Sequence, residues 1–234
     1  MNVKGGDNDP AGRPGAAEAV RPAVGRRTQA ERSKSTARRT QAERSKSTRA
    51  ALIAGARRLF AERGYAGVGT EEIVRAAGVT RGALYHHFAG KQELFEAVYR
   101  LLEAELAERI AAGALSSAAT APLDAMRAGV EMFLQASTEP EVQRIVLLDG
   151  PAVLGWDRWR EIAAEHGLGL IEATLRAAIE AGEISEQPVR PLAHVLMGAL
   201  DEAAMLVARA DEPEQMQRDV ARTLDNLLAA LSSG

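Results

Sequence analysis

Cysteine is absent from the 234 residues. Its absence excludes a disulfide scaffold, thiolate zinc sites and Cys nucleophiles, and fits a reducing compartment. Histidine is scarce: there are four, and two of them, His86 and His87, are adjacent. Neighbouring helical residues diverge by about 100°, so these two cannot chelate one ion. No metal and no cofactor is expected. No apolar run approaches the roughly 18–20 residues that span a bilayer, and the first 25 residues lack the apolar stretch of a secretory signal. The expectation is a cytoplasmic protein. HExxH, a P-loop and a plausible Ser-His-Asp order are also missing. The glycines at 64, 67 and 69 lack a preceding strand, which leaves a helical enzyme as a remote alternative only.

What is present is unevenly distributed. The net charge of −3 conceals 19 Lys/Arg against 10 Asp/Glu over residues 1–100, and 10 against 22 over 101–234. A basic first part facing a polyanion, and an acidic remainder that does not, is the reading this asymmetry favours. A solubilising bias is the plainer alternative. Residues 1–25 are rich in Gly, Pro and Ala with no periodic apolar face, the composition of a disordered segment. RRTQAERSKST at 26–36 recurs letter for letter at 38–48. A period of 12 in two copies is too short for a solenoid. Each copy carries a capping box, Thr28 with Glu31 and Thr40 with Glu43. Only the second leads into an apolar stripe: Leu52, Ile53, Ala56, Leu59 and Phe60. The spacing predicts a helix from about Thr40 to Arg63. The first copy either extends that helix outward, its residues turned about 120° from those of the second copy, or, as the favoured reading, belongs to a flexible basic arm over 1–37. That arm is either a nonspecific DNA tether or an inert solvated tail.

Further helices follow: Thr70 to Ala77 with Thr70 as cap, Arg81 to Phe88 capped by Thr80, and a long one from Lys91 to about 112. Leu123 to Leu134 forms another stripe. The apolar run Ile145–Leu148 is read as ending at a turn over Asp149-Gly150-Pro151. Helices over 156–181, 191–210 and from about 213 complete the chain. No stretch alternates at the period of a strand, so the fold class is all-α.

The segment GTEEIVRAAGVTRGALYHHFAGK, residues 69–91, carries the function. Two short helices joined by about four residues have the spacing of a helix-turn-helix. Gly78 suits a left-handed turn, and Ile73, Val74, Val79 and Leu84 are placed to fill the interface. The second helix then presents Thr80, Arg81, Gly82, Ala83, Tyr85, His86 and His87. Small residues at Gly82 and Ala83 let the backbone approach a groove floor. Arg81 can donate to a guanine edge. Tyr85, Lys91 and the first helical N–H groups can reach phosphates.

From about Arg38 to Tyr99 the chain resembles the DNA-binding domain of TetR-family transcriptional regulators. Its most specific portion is TRGALYHHF at 80–88, followed by Lys91, Leu94 and Phe95. The resemblance implies a three-helix helix-turn-helix domain over 38–100. An effector-binding and dimerisation domain over 113–234 would follow. It implies a homodimer that represses from a palindromic double-stranded operator and is released by a small-molecule effector. Activation, or regulation without a ligand switch, is the alternative. It assigns Thr70, Tyr85 and His87 to backbone contacts and Thr80–Ala83 to bases. His86 goes to either, and Lys91 to a phosphate. Most members need only one copy of the segment before the first helix, so residues 26–37 depart from the pattern.

Beyond about Thr120 the resemblance is to architecture alone. It makes the helices from Pro191 and Pro213 the dimer interface, through Leu196, Leu200, Leu224, Leu227 and Leu228. The all-round apolar character of the first of these helices supports that independently. Met126, Phe133, Leu147, Trp156, Trp159, His166 and Met197 are the candidate effector pocket. Trp156 and Trp159 either line that cavity or anchor a bend. His166 and His194 read first as structural. Asp149, Asp201 and Glu202 lie in apolar surroundings, and any of them that is buried needs a partner, an effector group or an Arg.

Overall fold

The computed structural model describes residues 29–116 and 121–232. The chain comprises two units, 1–42 and 43–234. Among the described residues there are nine α-helices, one π-helix and no strand, as the sequence indicated. The unstructured segment read over 1–25 lies outside the described residues.

The first unit contributes the opening of α1 (Gln29–Arg63). This helix starts eleven residues ahead of the expected Thr40, so residues 29–37 are helical and not a flexible arm. The reason is compositional: from Gln29 the repeats contain neither Gly nor Pro, and Ala, Arg, Lys, Gln and Glu are good helix formers. The capping box at Thr40 therefore interrupts nothing.

The second unit begins with the apolar part of α1, which ends at Gly64 (φ +71°). α2 (Thr70–Ala76) and α3 (Arg81–His87) follow. The cap of α2 is Gly69, one residue before the expected Thr70. Glu72 Oε2 accepts from the Gly69 N–H at 3.0 Å, which satisfies the end without a hydroxyl. Thr80 caps α3 as expected, its hydroxyl accepting from the Ala83 N–H at 3.2 Å. Between these helices Gly78 takes φ +66°, a conformation that only glycine adopts freely. Ile73 and Leu84 have no exposed surface, and they close the two helices on Leu52, Phe60, Phe95 and Val98.

α4 (Lys91–Ser116), α5 (Pro122–Ala136), α6 (Gly150–Leu154), α7 (Trp156–Glu180), α8 (Val189–Arg209) and α9 (Pro213–Ser232) make up the remainder. Between α5 and α6 runs a π-helix, Val142–Asp149. Asp149-Gly150-Pro151 is thus not a turn. Asp149 and Gly150 both keep right-handed helical angles, and Pro151, whose fixed φ is compatible with a helix, is accommodated as the chain passes straight from the π-helix into α6. The break comes at Gly155 instead, at φ +81°.

The buried cluster around α3 does not stop at residue 100. Leu94, Phe95, Val98, Tyr99 and Leu102 of α4 join it to Ile145 and Leu147 of the π-helix, Trp159 and Ile162 of α7, and Ala204 of α8. α8 is long and apolar enough by composition to cross a bilayer. It is packed against α7 and α9, and Ala193, Met197, Ala203, Ala204 and Val207 are buried in those contacts.

Trp159 packs on the bare backbone of Gly150. A Cβ there would lie 2.9 Å from the Trp159 ring and 3.2 Å from the Ile145 carbonyl oxygen. Gly150→Ala is expected to destabilise the chain by about 1–3 kcal/mol through overpacking, read as a lower urea midpoint. An unchanged midpoint would show that this contact yields freely.

Candidate nucleic-acid interface and ligand cavity

α3 is seven residues long and stands on Leu84 and Phe88, which are buried. Its other residues face out. Arg81, Gly82, Tyr85 and His86 are exposed, and Ala83 and His87 are half-buried. Nothing lies near a Cβ built on Gly82 apart from the Thr80 hydroxyl at 3.9 Å, so the start of the helix is open to close approach. The guanidinium of Arg81 donates to Glu71 of α2 at 2.9 Å and lies 5.5 Å from the centre of the Tyr85 ring. Exposed pairs of this kind contribute about 0–1 kcal/mol, so a stronger acceptor can draw Arg81 away. The rings of His86 and His87 sit 5.1 Å apart, nearly edge to face. Thr70 opens α2, half-buried.

Lys91 behaves differently from the expectation. Its ammonium donates to the carbonyls of Tyr65 at 2.9 Å and Val68 at 3.0 Å, and lies 3.9 Å over the Tyr65 ring. The positive charge ties the start of α4 to the loop after α1 and is not directed outward. A phosphate contact through this side chain would require those bonds to break. Sequence alone could not reveal this, because the two carbonyls are 23 and 26 residues away.

A cavity of about 350 Å³ lies between α4, α5, α7 and α8. Small side chains make the room: Ala107, Ala111 and Ala114 on α4, Ala125 and Gly129 on α5, Ala163 and Gly167 on α7. Larger apolar groups close it, and these include five residues of the expected pocket: Met126, Phe133, Leu147, Trp159 and Met197. The other two do not line it. Trp156 is exposed, with the Arg160 guanidinium 5.7 Å from its ring centre. α7 begins at this residue, and the Trp156 ring lies at the surface against that of the buried Trp159, three residues later, with the ring centroids 5.0 Å apart. His166 lies on α7 beside the lining Gly167, and its Nε2 is buried without a hydrogen-bond partner.

Two carboxyls stand in the cavity wall, Glu103 (9% exposed) and Asp201 (7% exposed). Burial pushes the Glu103 carboxyl up to about 7. The nearby Asp201 adds to this and the Tyr99 hydroxyl opposes it. Burial likewise raises Asp201 to about 6 against the opposing charge of Arg160. Arg160 Nη1 lies 3.4 Å from Asp201 Oδ2, which nevertheless has no hydrogen bond. Asp201 stood out in the sequence as an acid on an apolar helix. Glu103 did not, although it falls four residues after Tyr99 and seven before Ile110, on the buried stripe of α4. Of the other two acids in apolar surroundings, Asp149 accepts from the Tyr65 N–H at 2.7 Å and Glu202 is exposed.

The dimer leucines also differ from expectation. Leu224 and Leu228 are buried within the chain against α5, α7 and α8, and Leu196 and Leu200 pack partly against the same clusters. Only Leu227 of the five is exposed. On α8, Val195 (67% exposed) and Leu206 are the large apolar residues that are exposed. Periodicity locates an apolar face but cannot say whether it meets its own chain or another.

Residues 52–98 match the family model "Bacterial regulatory proteins, tetR family", and 123–231 match "Tetracyclin repressor-like, C-terminal domain". A solved TetR-family transcriptional regulator from Pectobacterium atrosepticum is 33% identical. The match covers 82% of this chain and 97% of that one, with a TM-score of 0.73. The transposon Tn10 TetC protein of Escherichia coli is 29% identical over 152 residues, 63% of this chain and 74% of that protein. An HTH-type transcriptional repressor of Mycobacterium tuberculosis is 36% identical over 117 residues, half of this chain and 60% of that protein.

A carboxyl whose folded value is raised stabilises the folded chain below the ordinary carboxylate range. That contribution is lost as pH rises through the folded value. For Glu103 the window runs from about 4.5 to about 7. Between pH 5 and pH 8 the wild type should therefore lose stability that Glu103→Gln keeps, by up to roughly 3 kcal/mol in urea unfolding. Parallel pH profiles for the two proteins would contradict the burial of this charge.

Proposed function

The chain belongs to the TetR family and is a DNA-binding transcriptional regulator, and we propose that it is a homodimeric repressor released from a palindromic operator by a small molecule in the cavity. It would act in the cytoplasm. The reading head is residues 38–100, and the sensing and dimerising domain is 113–234.

The observation that carries this reading is α3 itself. A seven-residue helix is held by Ile73, Val74 and Leu84 and capped by Thr80, with Arg81, Tyr85 and His86 left exposed. Thr80 to Ala83 would meet base edges, with Arg81 as the discriminating donor. Thr70, Tyr85, His87 and the first N–H groups of α3 would position the head on the backbone, and His86 would serve either purpose. Two such helices related by a dyad would enter successive major grooves about 34–36 Å apart. The exposed Val195, Leu206 and Leu227 support a partner surface on α8 and α9. Isolated apolar residues are common on a surface, but α8 and α9 lie against each other and so can offer one patch.

The coupling would run along α4. It begins in the core beneath α3 with Leu94 and Phe95 and goes on to line the cavity with Glu103, Leu106 and Ile110. A ligand shifts the spacing of the heads only if it binds one spacing more tightly than the other.

Arg81→Ala is expected to lose about 1–3 kcal/mol of discrimination between operator and mismatched duplex. Tyr85→Phe should weaken all duplexes alike. Competition binding to a fragment from upstream of the chain's own gene checks both, and equal losses on every sequence from Arg81→Ala would overturn the assignment. Leu206→Glu should give monomers in analytical ultracentrifugation at concentrations where the wild type is dimeric. A monomeric wild type would refute the homodimer.

A further inference from the structure

The geometry points to a lipophilic organic cation, an amine or quaternary ammonium on a hydrocarbon body, as the ligand of the cavity between α4, α5, α7 and α8. This rests on reading that cavity as the effector site. Its volume of about 350 Å³ falls at the lower end of the roughly 300–1,000 Å³ common for small-molecule sites. The wall is almost wholly apolar, so the ligand body is hydrocarbon. What remains is the polar part, and it is one-sided. The polar side chains in the wall are Glu103, Thr174 and Asp201. Thr174 spends its hydroxyl proton on the Leu170 carbonyl at 2.9 Å, which leaves an acceptor facing outward from its own helix. No Lys, Arg or His lines the cavity, so a carboxylate or phosphate ligand would meet only acids and hydrocarbon.

The two acids are short of positive charge. The titratable or charged groups around them are each other, Tyr99 on α4 and Arg160 on α7. Tyr99 is an uncharged hydroxyl, shared between the Trp159 carbonyl at 3.3 Å and the Glu103 carboxyl. Arg160 is one guanidinium for two carboxyls. It comes no nearer than 3.4 Å to Asp201 and makes no hydrogen bond to Oδ2. Asp201 Oδ2 is therefore a buried acceptor without a donor, a feature that natural interiors rarely leave unexplained. A bound cation would supply the missing charge, and Phe133 and Trp159 would offer ring faces to it. Because both carboxyls titrate near neutrality, cation entry drives them to ionise and expels protons to solvent. Binding should then tighten as pH rises from 5 to 8.

The test uses the full-length chain with decyltrimethylammonium, 1-decanol and decanoate, each below its micellar concentration. Titration calorimetry in two buffers of different ionisation enthalpy reads both affinity and proton release. The ammonium should bind at least about tenfold more tightly than the alcohol or the carboxylate. It should release protons at pH 6.5. Glu103→Gln and Asp201→Asn should each collapse that preference and leave the alcohol's affinity in place. If either variant fails to fold, the pH series on the wild type decides, and a flat series overturns the proposal. Decanol or decanoate binding as tightly as the ammonium overturns it, as does a preference that both variants keep, or no uptake of any probe. Operator affinity without any probe is measured alongside. A chain that grips its operator yet shuns the cation sinks only this ligand class, and one that ignores the operator sinks the repressor reading instead.

Discussion

Tyr99 has no exposed surface, and it sits where the core beneath α3 becomes the wall of the cavity. Its hydroxyl holds the Trp159 carbonyl, Trp159 Nε1 in turn donates to the Val146 carbonyl at 3.0 Å, and Gly150 lies against the same indole. Three elements, α4, α7 and the π-helix, are thus keyed to one another through two aromatic side chains. Interiors packed this closely do not deform continuously. Any change in the cavity that moves α7 against α4 must move them as bodies. Around this joint the polar ties are geometric more than energetic. Arg57 binds Glu141 through Nε at 2.8 Å and Nη2 at 2.7 Å and also reaches Glu105, and Arg158 bridges Glu96 and Glu161. Partly exposed pairs contribute little stability each, but two-pronged guanidinium contacts fix orientation.

The same interior that is keyed at Tyr99 is hollow about two to four turns further along α4. There Ala107, Ala111 and Ala114 leave space that Leu or Phe would fill, and Glu103 and Asp201 stand in it. A chain selected for stability alone would place apolar side chains at both positions, since buried carboxyls oppose folding at neutral pH. Local agreement between propensity, packing and polar pairing is otherwise good throughout this fold, and departures from such agreement concentrate where function is. The cavity has both departures at once, missing volume and a buried carboxyl oxygen, Asp201 Oδ2, that accepts no hydrogen bond.

How far the sequence could be read depended on the range of the interaction. The helices of the reading head were legible because their signals are local: Thr80 before Arg81, Gly78 between two short apolar stripes, Gly64 after a long one. Elements set by remote partners were not. Lys91 turns back to carbonyls in another loop, Leu224 and Leu228 turn toward their own chain, and of the touching pair Trp156 and Trp159 only the second is buried. Asp149-Gly150-Pro151 has the composition of a turn, yet the chain continues as helix through it, with the Trp159 ring packed against the bare Gly150 backbone. A tandem repeat with ideal caps misled in the opposite sense, since a strong local signal for a helix start does not require the preceding residues to stop being helical.

These placements constrain how sensing could reach DNA. α4 is a single helix of 26 residues, and its first turns belong to the core beneath α3 while its later turns form cavity wall. In the proposed switch, a ligand pressing on the later turns would act on a lever whose other end carries the reading helix. Lys91, bonded to the carbonyls of Tyr65 and Val68, keeps the loop before α2 attached to that end, so α1, α2 and α3 would travel with it. An inward-turned lysine at the start of α4 is therefore as useful to the proposed switch as an outward one would be to affinity. It ties the loop before α2 to the start of α4, and in the proposed switch a head held in this way would let a small rotation near Glu103 become a change in groove spacing at Arg81.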